Sequence, residues 1–555
     1  MKKITTLPIV IFFTSLILIG CFHEETSCLI SAFLSVALVI YSINRGKIYF
    51  KINLLTVSLL VLILAYLITE IWAVDRGIAI IGFVKYLPLL IFSVIIMQDE
   101  EVKERIIKFL PYFSAGITVI TAVLMQIPAL KNYFSVANRF AGCFEYPNTF
   151  ALLLLISELL LVSKQQIKKY DIAVLAVLVF GILFTGSRTV FVLAVISNVI
   201  MIIKSKNKII KIGFAGFFGI SIIAVTVYTL FFGNNVFGRF LTIGIKESTF
   251  VGRFLYFQDA LPVILKHPFG LGYNGYYYMQ QSFQTGLYSV RNIHNDFLQI
   301  ALDTGIIPGI LFVAAIIKAI ISKKTSFENK IIISTFVLHS FFDFNLQFIS
   351  MFFILLLLIY DDSGKEFEIK SKALMISILS LLSLVSIYFG MAIFSYRVKN
   401  YSLCEKIYPY YTDNNIEILK KAETADEMDI LADKILNQNE YVSLCYSAKA
   451  KAAYSNGDFE STMEYKHKLF DYAPFDTEDY KEYCYMLANA ISIYSRSDDL
   501  SSADYCKQEL IDTYDNLQAL PSKLSKLGKM IKDKPDTDLP EDITEYILKL
   551  KGDTK

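Results

Sequence analysis

Between Ile4 and Ser395 the chain returns repeatedly to apolar runs long enough to cross a hydrocarbon layer, which takes roughly 17–25 residues. Inside a bilayer every backbone N–H and C=O must find a partner within the protein, so such runs fold as helices. They predict about thirteen spans, near 4–20, 28–43, 52–72, 77–97, 107–127, 147–163, 170–185, 188–203, 209–232, 306–322, 331–347, 348–360 and 373–395. Only 19% of the 555 residues are charged and 55% are hydrophobic, which excludes an ordinary soluble globular class. The expected fold is all-α, a polytopic membrane domain over 1–395.

Sidedness follows from Lys and Arg. Alternate connections are basic: Lys2 and Lys3, then Arg45 to Lys51, Lys103 to Lys108, Lys164 to Lys169, Lys204 to Lys211, Lys323 to Lys330 and Lys365 to Lys372. The intervening short connections hold only Arg76, Lys131, Arg139 and Arg188. The N-terminus is therefore expected inside and the segment after the last span outside. That segment, 396–555, carries 21 Lys+Arg against 30 Asp+Glu, whereas the membrane part is basic, so two domains in different surroundings are expected. No basic, aromatic-interleaved patch suggests nucleic acid.

Met1-Lys-Lys followed by an apolar run to Leu18-Ile-Gly-Cys21 resembles a lipoprotein signal. A first transmembrane helix is the reading preferred here. Cys404, Cys445, Cys484 and Cys506 fall in the outer domain, where either disulfides or buried free thiols are expected.

One long outer loop, 233–305, separates two groups of spans. Arg253 to Lys266 reads as an amphipathic helix with Phe254, Phe257, Leu261 and Ile264 on one face. Tyr276, Tyr277 and Tyr278 suit an interfacial aromatic belt or a surface on which sugar rings stack. Asp296, Gln299 and Asp303 form a polar stripe on a short surface helix that Gly305 ends, with Asn292 as the better cap and His294 at its start. In the tail, Tyr446 to Pro474, with Ala450 and Gly457-Asp458-Phe459, resembles a tetratricopeptide helical hairpin, although Thr462 stands where a small Ala is usual. A looser copy has Tyr494, Asp499-Leu500 and Ala503.

Ionisable residues at the edge of a bilayer mark a working site by default. On the outer face these are Arg188 in Gly-Ser-Arg-Thr, Arg253, His294, and His339 with Asp343, the last two placed one turn apart on one helix. Lys85 is an intramembrane cation, suited to a lipid phosphate or to a salt bridge, and Arg139 and Asn148 flank a turn at Pro147. Glu158 near the inner end of its span is expected to reach water.

The stretches Gly252-Arg-Phe-Leu to Gly272-Tyr-Asn and His294-Asn-Asp-Phe-Leu-Gln to Gly305 carry a resemblance. They resemble the signature region of the O-antigen ligase and O-antigen polymerase superfamily: His294, Asn295, nine residues, then Gly305. The pattern departs at Pro308, with Gly309 one place late. Supporting fragments are Arg139 to Gly142, Pro147-Asn148, Gly186 to Arg188 and His339 to Asp343, giving a signature region of 139–345.

The resemblance implies transfer, outside the plasma membrane, of a glycan from undecaprenyl pyrophosphate to an acceptor sugar hydroxyl. Arg188 and Arg253 would hold the diphosphate, and His294 would take the acceptor's proton. Arg139, Asn148, Asn295, His339, Asp343 and Lys85 would line the substrate site. No cofactor or metal is expected. Expected partners are the lipid-linked glycan, a glycan or lipid acceptor, membrane lipid, and a protein bound by the tail. The competing functions are a flippase of lipid-linked sugars and a non-enzymatic scaffold presenting helical repeats.

Overall fold

The computed structural model describes residues 2–164, 166, 168–204, 216, 219, 221, 223 and 248–553. Apart from those isolated positions, the expected span at 209–232 and the start of the outer loop, 233–247, lie outside the described residues.

The first half of the described chain runs α1 (Lys2–Ile17), α2 (Glu24–Arg45), α3 (Leu54–Ile68), α4 (Arg76–Gln98), α5 (Glu100–Leu124), the single turn α6 (Lys131–Phe134), α7 (Pro147–Val162), α8 (Lys169–Thr185) and α9 (Arg188–Lys204). The outer loop contributes α10 (Ser248–Lys266), α11 (Gly275–Phe283) and α12 (Asp296–Thr304). Three more helices, α13 (Ile306–Ile321), α14 (Phe327–Ser340) and α15 (Ile349–Ile359), lead to α16 (Lys372–Arg397). Five stretches are long and apolar enough to cross a membrane: α2, Leu54–Ile71, α4, α5 and α16. Shorter apolar helices, among them Pro147–Val162, Ile306–Ile321 and Ile349–Ile359, stand at other expected spans.

Helix ends follow local chemistry. Asn53 and Thr56 form a capping box at α3, the Asp75 side chain accepts from Ile78 N at α4, and Pro147 opens α7. Helices α7 and α15 are buried on nearly every side, as expected of centres of a bundle whose sequence is apolar all round. By contrast, only 22% of the apolar window of α16 is buried. It packs lengthwise on α2, where small side chains let the backbones approach: Ser31 and Ser386 share a 3.0 Å hydrogen bond, and a Cβ on Gly390 would stand 3.0 Å from that of Cys28.

Two short antiparallel ribbons accompany the helices. Strands β1 (Ile48–Ile52) and β4 (Lys365–Ile369) pair antiparallel, and between them in sequence a tiny ribbon joins β2 (Ser135–Val136) to β3 (Arg139–Phe140). The first ribbon links two basic connections that the Lys/Arg pattern places on the same side, and Lys47 and Lys51 pair across it with Glu368 and Asp362.

One expectation is corrected, at 331–347. Helix α14 stops at Ser340, and α15 starts only at Ile349. His339 and Asp343 therefore do not share a helix face. The break carries Asp343, Asn345 and Gln347, all buried, between aromatic neighbours that kept the hydropathy high.

In the outer loop, α10 buries Val251, Leu255, Ala260 and Val263; of the expected apolar face Ile264 is buried as well, while Phe254 and Leu261 are exposed. Both faces of this helix are apolar, so periodicity did not select the buried one. Helix α12 is capped by the Asn295 side chain, which accepts from Phe297 N and Leu298 N, rather than by Asn292. Its polar stripe faces inward: Asp296, Gln299 and Asp303 are all buried.

The tail consists of α17 (Tyr401–Ile407), α18 (Thr412–Leu419), α19 (Ala425–Leu436), then hairpins α20 (Ser443–Ser455) with α21 (Phe459–Tyr472) and α22 (Thr477–Arg496) with α23 (Leu500–Lys523), closed by α24 (Glu541–Asp553). It docks on the loop and on α4. At Gly77 a Cβ would lie 1.8 Å from the Tyr410 carbonyl oxygen, so only glycine permits this approach. Asn439 Nδ2 donates to Asp75 Oδ2 at 2.9 Å, and Ser525 N donates to the Thr285 carbonyl at 2.9 Å. The tail cysteines are free and buried, so the disulfide alternative is set aside.

Candidate active site

Asp343 is the point on which the outer cluster converges. Released from helix by the break after α14, its carboxylate is 1% exposed and faces α7, α10 and the approach to α12. Tyr146 Oη donates to Oδ1 at 2.7 Å, Asn148 Nδ2 donates to Oδ2 at 2.9 Å, and Phe344 N donates to Oδ1 at 3.0 Å. A terminal nitrogen of Arg253 lies 3.5 Å from Oδ2, and His294 Nδ1 lies 3.4 Å from Oδ1. At the last distance the two groups are in contact without an aligned hydrogen bond. Burial alone would raise the Asp343 carboxyl, but the contact with His294 and the charge of Arg253 hold it well below the usual carboxylate range. It is thus a fixed anion that aims one guanidinium and one imidazole.

Aromatic rings set the imidazole plane. Phe344 lies 5.0 Å from the His294 ring and stacks on Tyr146 at 4.6 Å, while Tyr256 covers His294 from α10 at 6.1 Å. His294 remains partly open, with its side chain 22% exposed.

From Asp343 the network runs outward. Asn148 Oδ1 accepts from an Arg139 terminal nitrogen at 2.5 Å, and Arg139 Nε donates to the Thr185 carbonyl at 2.8 Å. Three residues later, past the left-handed Gly186 that ends α8, Arg188 opens α9. Arg139 also lines a largely apolar cavity of about 860 Å³ between α5 and α8, walled by Ala122, Val177, Phe180 and Phe184, with Lys131 at the same end.

The remaining expected residues stand elsewhere. His339 is fully buried and its Nδ1 lies 3.1 Å from Asn345 Oδ1, which also accepts from Thr149. The Asn295 side chain serves as the α12 cap. Lys85 is buried in a second cluster: its Nζ donates to Tyr273 Oη at 3.0 Å and lies 3.9 Å from Glu24, which Tyr273 Oη also reaches at 2.5 Å. Arg291 connects Glu24 at 3.8 Å to Asp413 of the tail at 3.4 Å. Glu158 does not reach water; it is fully buried against Asn198. Tyr276 and Tyr278 are buried, and Tyr278 donates to Asp413 at 2.5 Å, so this tract meets the tail instead of forming a belt.

Tyr146, Asn345, Gln347, Glu24, Tyr273 and Arg291 were not singled out from sequence. The clearest signal for three of them was spacing: Tyr146 sits between Arg139 and Asn148, and Asn345 and Gln347 alternate with Asp343 in an otherwise apolar run.

Residues 173–313 match a family model described as O-antigen ligase. That match supports placing this segment in the O-antigen ligase/polymerase superfamily. The matched segment takes in Arg188, Arg253, His294 and Asn295, and leaves Arg139, Asn148, His339 and Asp343 to either side. No curated protein compared with the chain matches it.

Proposed function

We propose that this chain is a multi-pass plasma-membrane glycosyltransferase. It transfers or polymerises a glycan from undecaprenyl pyrophosphate onto an acceptor sugar hydroxyl on the outer side, with the N-terminus inside and the tetratricopeptide-like tail outside. One observation carries the reading: Arg253 and His294 share the Asp343 carboxylate, and that carboxylate connects through Asn148 to Arg139 at the wall of a lipid-sized apolar cavity.

The chemistry follows from that layout. The polyprenyl chain lies between α5 and α8, and its diphosphate meets Arg139, Arg188 and Arg253, whose planar forks suit phosphate oxygens. With Nδ1 turned to Asp343, His294 offers Nε2 to the acceptor hydroxyl. As the acceptor oxygen bonds to the anomeric carbon, the bond to the diphosphate oxygen breaks, its electron pair stays on the lipid diphosphate, and the hydroxyl proton passes to Nε2. The guanidinium groups meet the charge that develops on the leaving oxygen, so the transfer is assigned no metal. Asn295 acts by capping α12 next to His294, and His339 by holding Asn345 two residues from Asp343. The test is in cells: Arg253→Ala and His294→Ala abolish polymer or conjugate while the protein stays inserted and abundant. Normal product from both variants refutes the assignment.

A further inference from the structure

A cavity of about 260 Å³ lies where the outer loop meets the tail, with Arg291 in its lining. Tyr277 and Arg291 come from the loop, Tyr396 from the end of α16, and Asp413, Glu417 and Tyr441 from the tail. Tyr277, Tyr396 and Tyr441 at its wall are half-buried, and Tyr441 packs against Tyr472 at 5.2 Å with the ring planes nearly perpendicular. Between them the polar groups are of both signs. Asp413 is held by Tyr278 and Arg291, and Glu417 by Lys420 at 2.7 Å.

This is an environment for a neutral polyol. Apolar ring faces suit the C–H faces of a pyranose, and carboxylates with a guanidinium supply acceptors and donors for its hydroxyls. Its volume is below the roughly 300–1,000 Å³ of pockets for drug-sized ligands, so it is sized for a short piece of glycan rather than a folded partner. The lining residues come from helices and from the irregular segments at Ser289–Arg291 and Tyr441–Val442, and among the described residues no strand borders the cavity to which a peptide could add. Placement completes the argument: Arg291 stands three positions before His294, and an extended chain advances at most about 3.3–3.6 Å per residue, so the Arg291 backbone lies within about 11 Å of that of His294.

We infer that this cavity is the subsite for the acceptor glycan, built jointly by loop and tail, and holding the sugars behind the one that reacts at His294. The inference rests on the proposed transfer reaction, but its test does not. The probe is the set of short oligosaccharides released by mild acid from the envelope polysaccharide of the cells that make this protein. Their binding to the full-length chain in nanodiscs is followed by saturation-transfer NMR. The expected result is binding by the wild type and by His294→Ala, at least tenfold weaker binding by Tyr441→Ala and by Glu417→Gln, and near-native binding by Tyr441→Phe, which keeps the ring. No binding by the wild type, or unchanged affinity in both Tyr441→Ala and Glu417→Gln, overturns the subsite. In transfer kinetics the same two variants raise the acceptor KM about tenfold and leave the donor KM and kcat unchanged; a rise confined to the donor KM overturns the acceptor assignment. A chain that binds the oligosaccharides and transfers nothing keeps the subsite and loses the reaction.

Discussion

Replacing Asp343 with Asn changes no volume and reverses half of a buried acceptor set. Oδ1 accepts from Tyr146 and from Phe344 N and faces His294, while Oδ2 accepts from Asn148 and faces Arg253. Whichever way the amide turns, its NH2 group meets donors, Arg253 loses its counter-charge, and His294 loses the anion that orients it. Removing one partner of a buried ion pair costs about 3–5 kcal/mol. Taking the lower figure for the Arg253–Asp343 pair alone, about 3 kcal/mol of positioning is lost, or roughly two orders of magnitude in rate. Asp343→Asn should therefore cut glycan transfer about 100-fold, read as chain formation on gels and as single-turnover transfer by the purified protein. Membrane levels and monodispersity should stay near wild type, because neighbours of Asp343 such as Asn148 keep other hydrogen-bond partners. Transfer within threefold of wild type would show that the carboxylate does not position these groups.

Other consequences follow from packing and charge. Val177→Trp, which fills the cavity between α5 and α8, should lower co-purified polyprenyl lipid at least tenfold by mass spectrometry with little change in melting; undiminished lipid would place the donor elsewhere. Gly390→Leu should cost about 1–3 kcal/mol by forcing α16 away from Cys28, seen as a lower melting temperature in detergent, and an unchanged melt would discount that seam. Burial pushes the Asp75 carboxyl up to about 6, against its hydrogen bonds from Asn439 and Ile78 N. Its folded value lies above the unfolded one, so the neutral acid favours docking, and ionisation weakens it as pH rises through about 4 to 6 and on to full charge. Between pH 5 and 7.5 the tail contact at Asn439 should lose about 1.4 kcal/mol, read as roughly tenfold lower exchange protection in α18 and α19 after correction for intrinsic rates; constant protection would contradict it.

Hydropathy and Lys/Arg asymmetry made the membrane class legible, because a bilayer leaves few options for apolar segments. The ends of α4, α7 and α9 fall close to the expected limits for that reason. The break at 341–348 was hidden, since Phe341, Phe342, Phe344 and Phe348 mask three polar residues whose partners lie far off in sequence. Asp343 finds Asn148, and Gln347 finds Tyr86, at separations that no local window spans. The same holds for Glu24, whose ties to Tyr273 and Arg291 appear only once α2 stands beside the outer loop. Arg253 and His294 were legible as types of residue; that one anion gathers them was not.

The tail covers the loop on one flank, and the apolar cleft opens between α5 and α8 on another. A greasy donor and a water-borne recipient would thus come in through separate doors and meet only at the imidazole. Neither has to leave before the other arrives, so an enzyme laid out in this way can reload with fresh lipid while still gripping the chain it is lengthening.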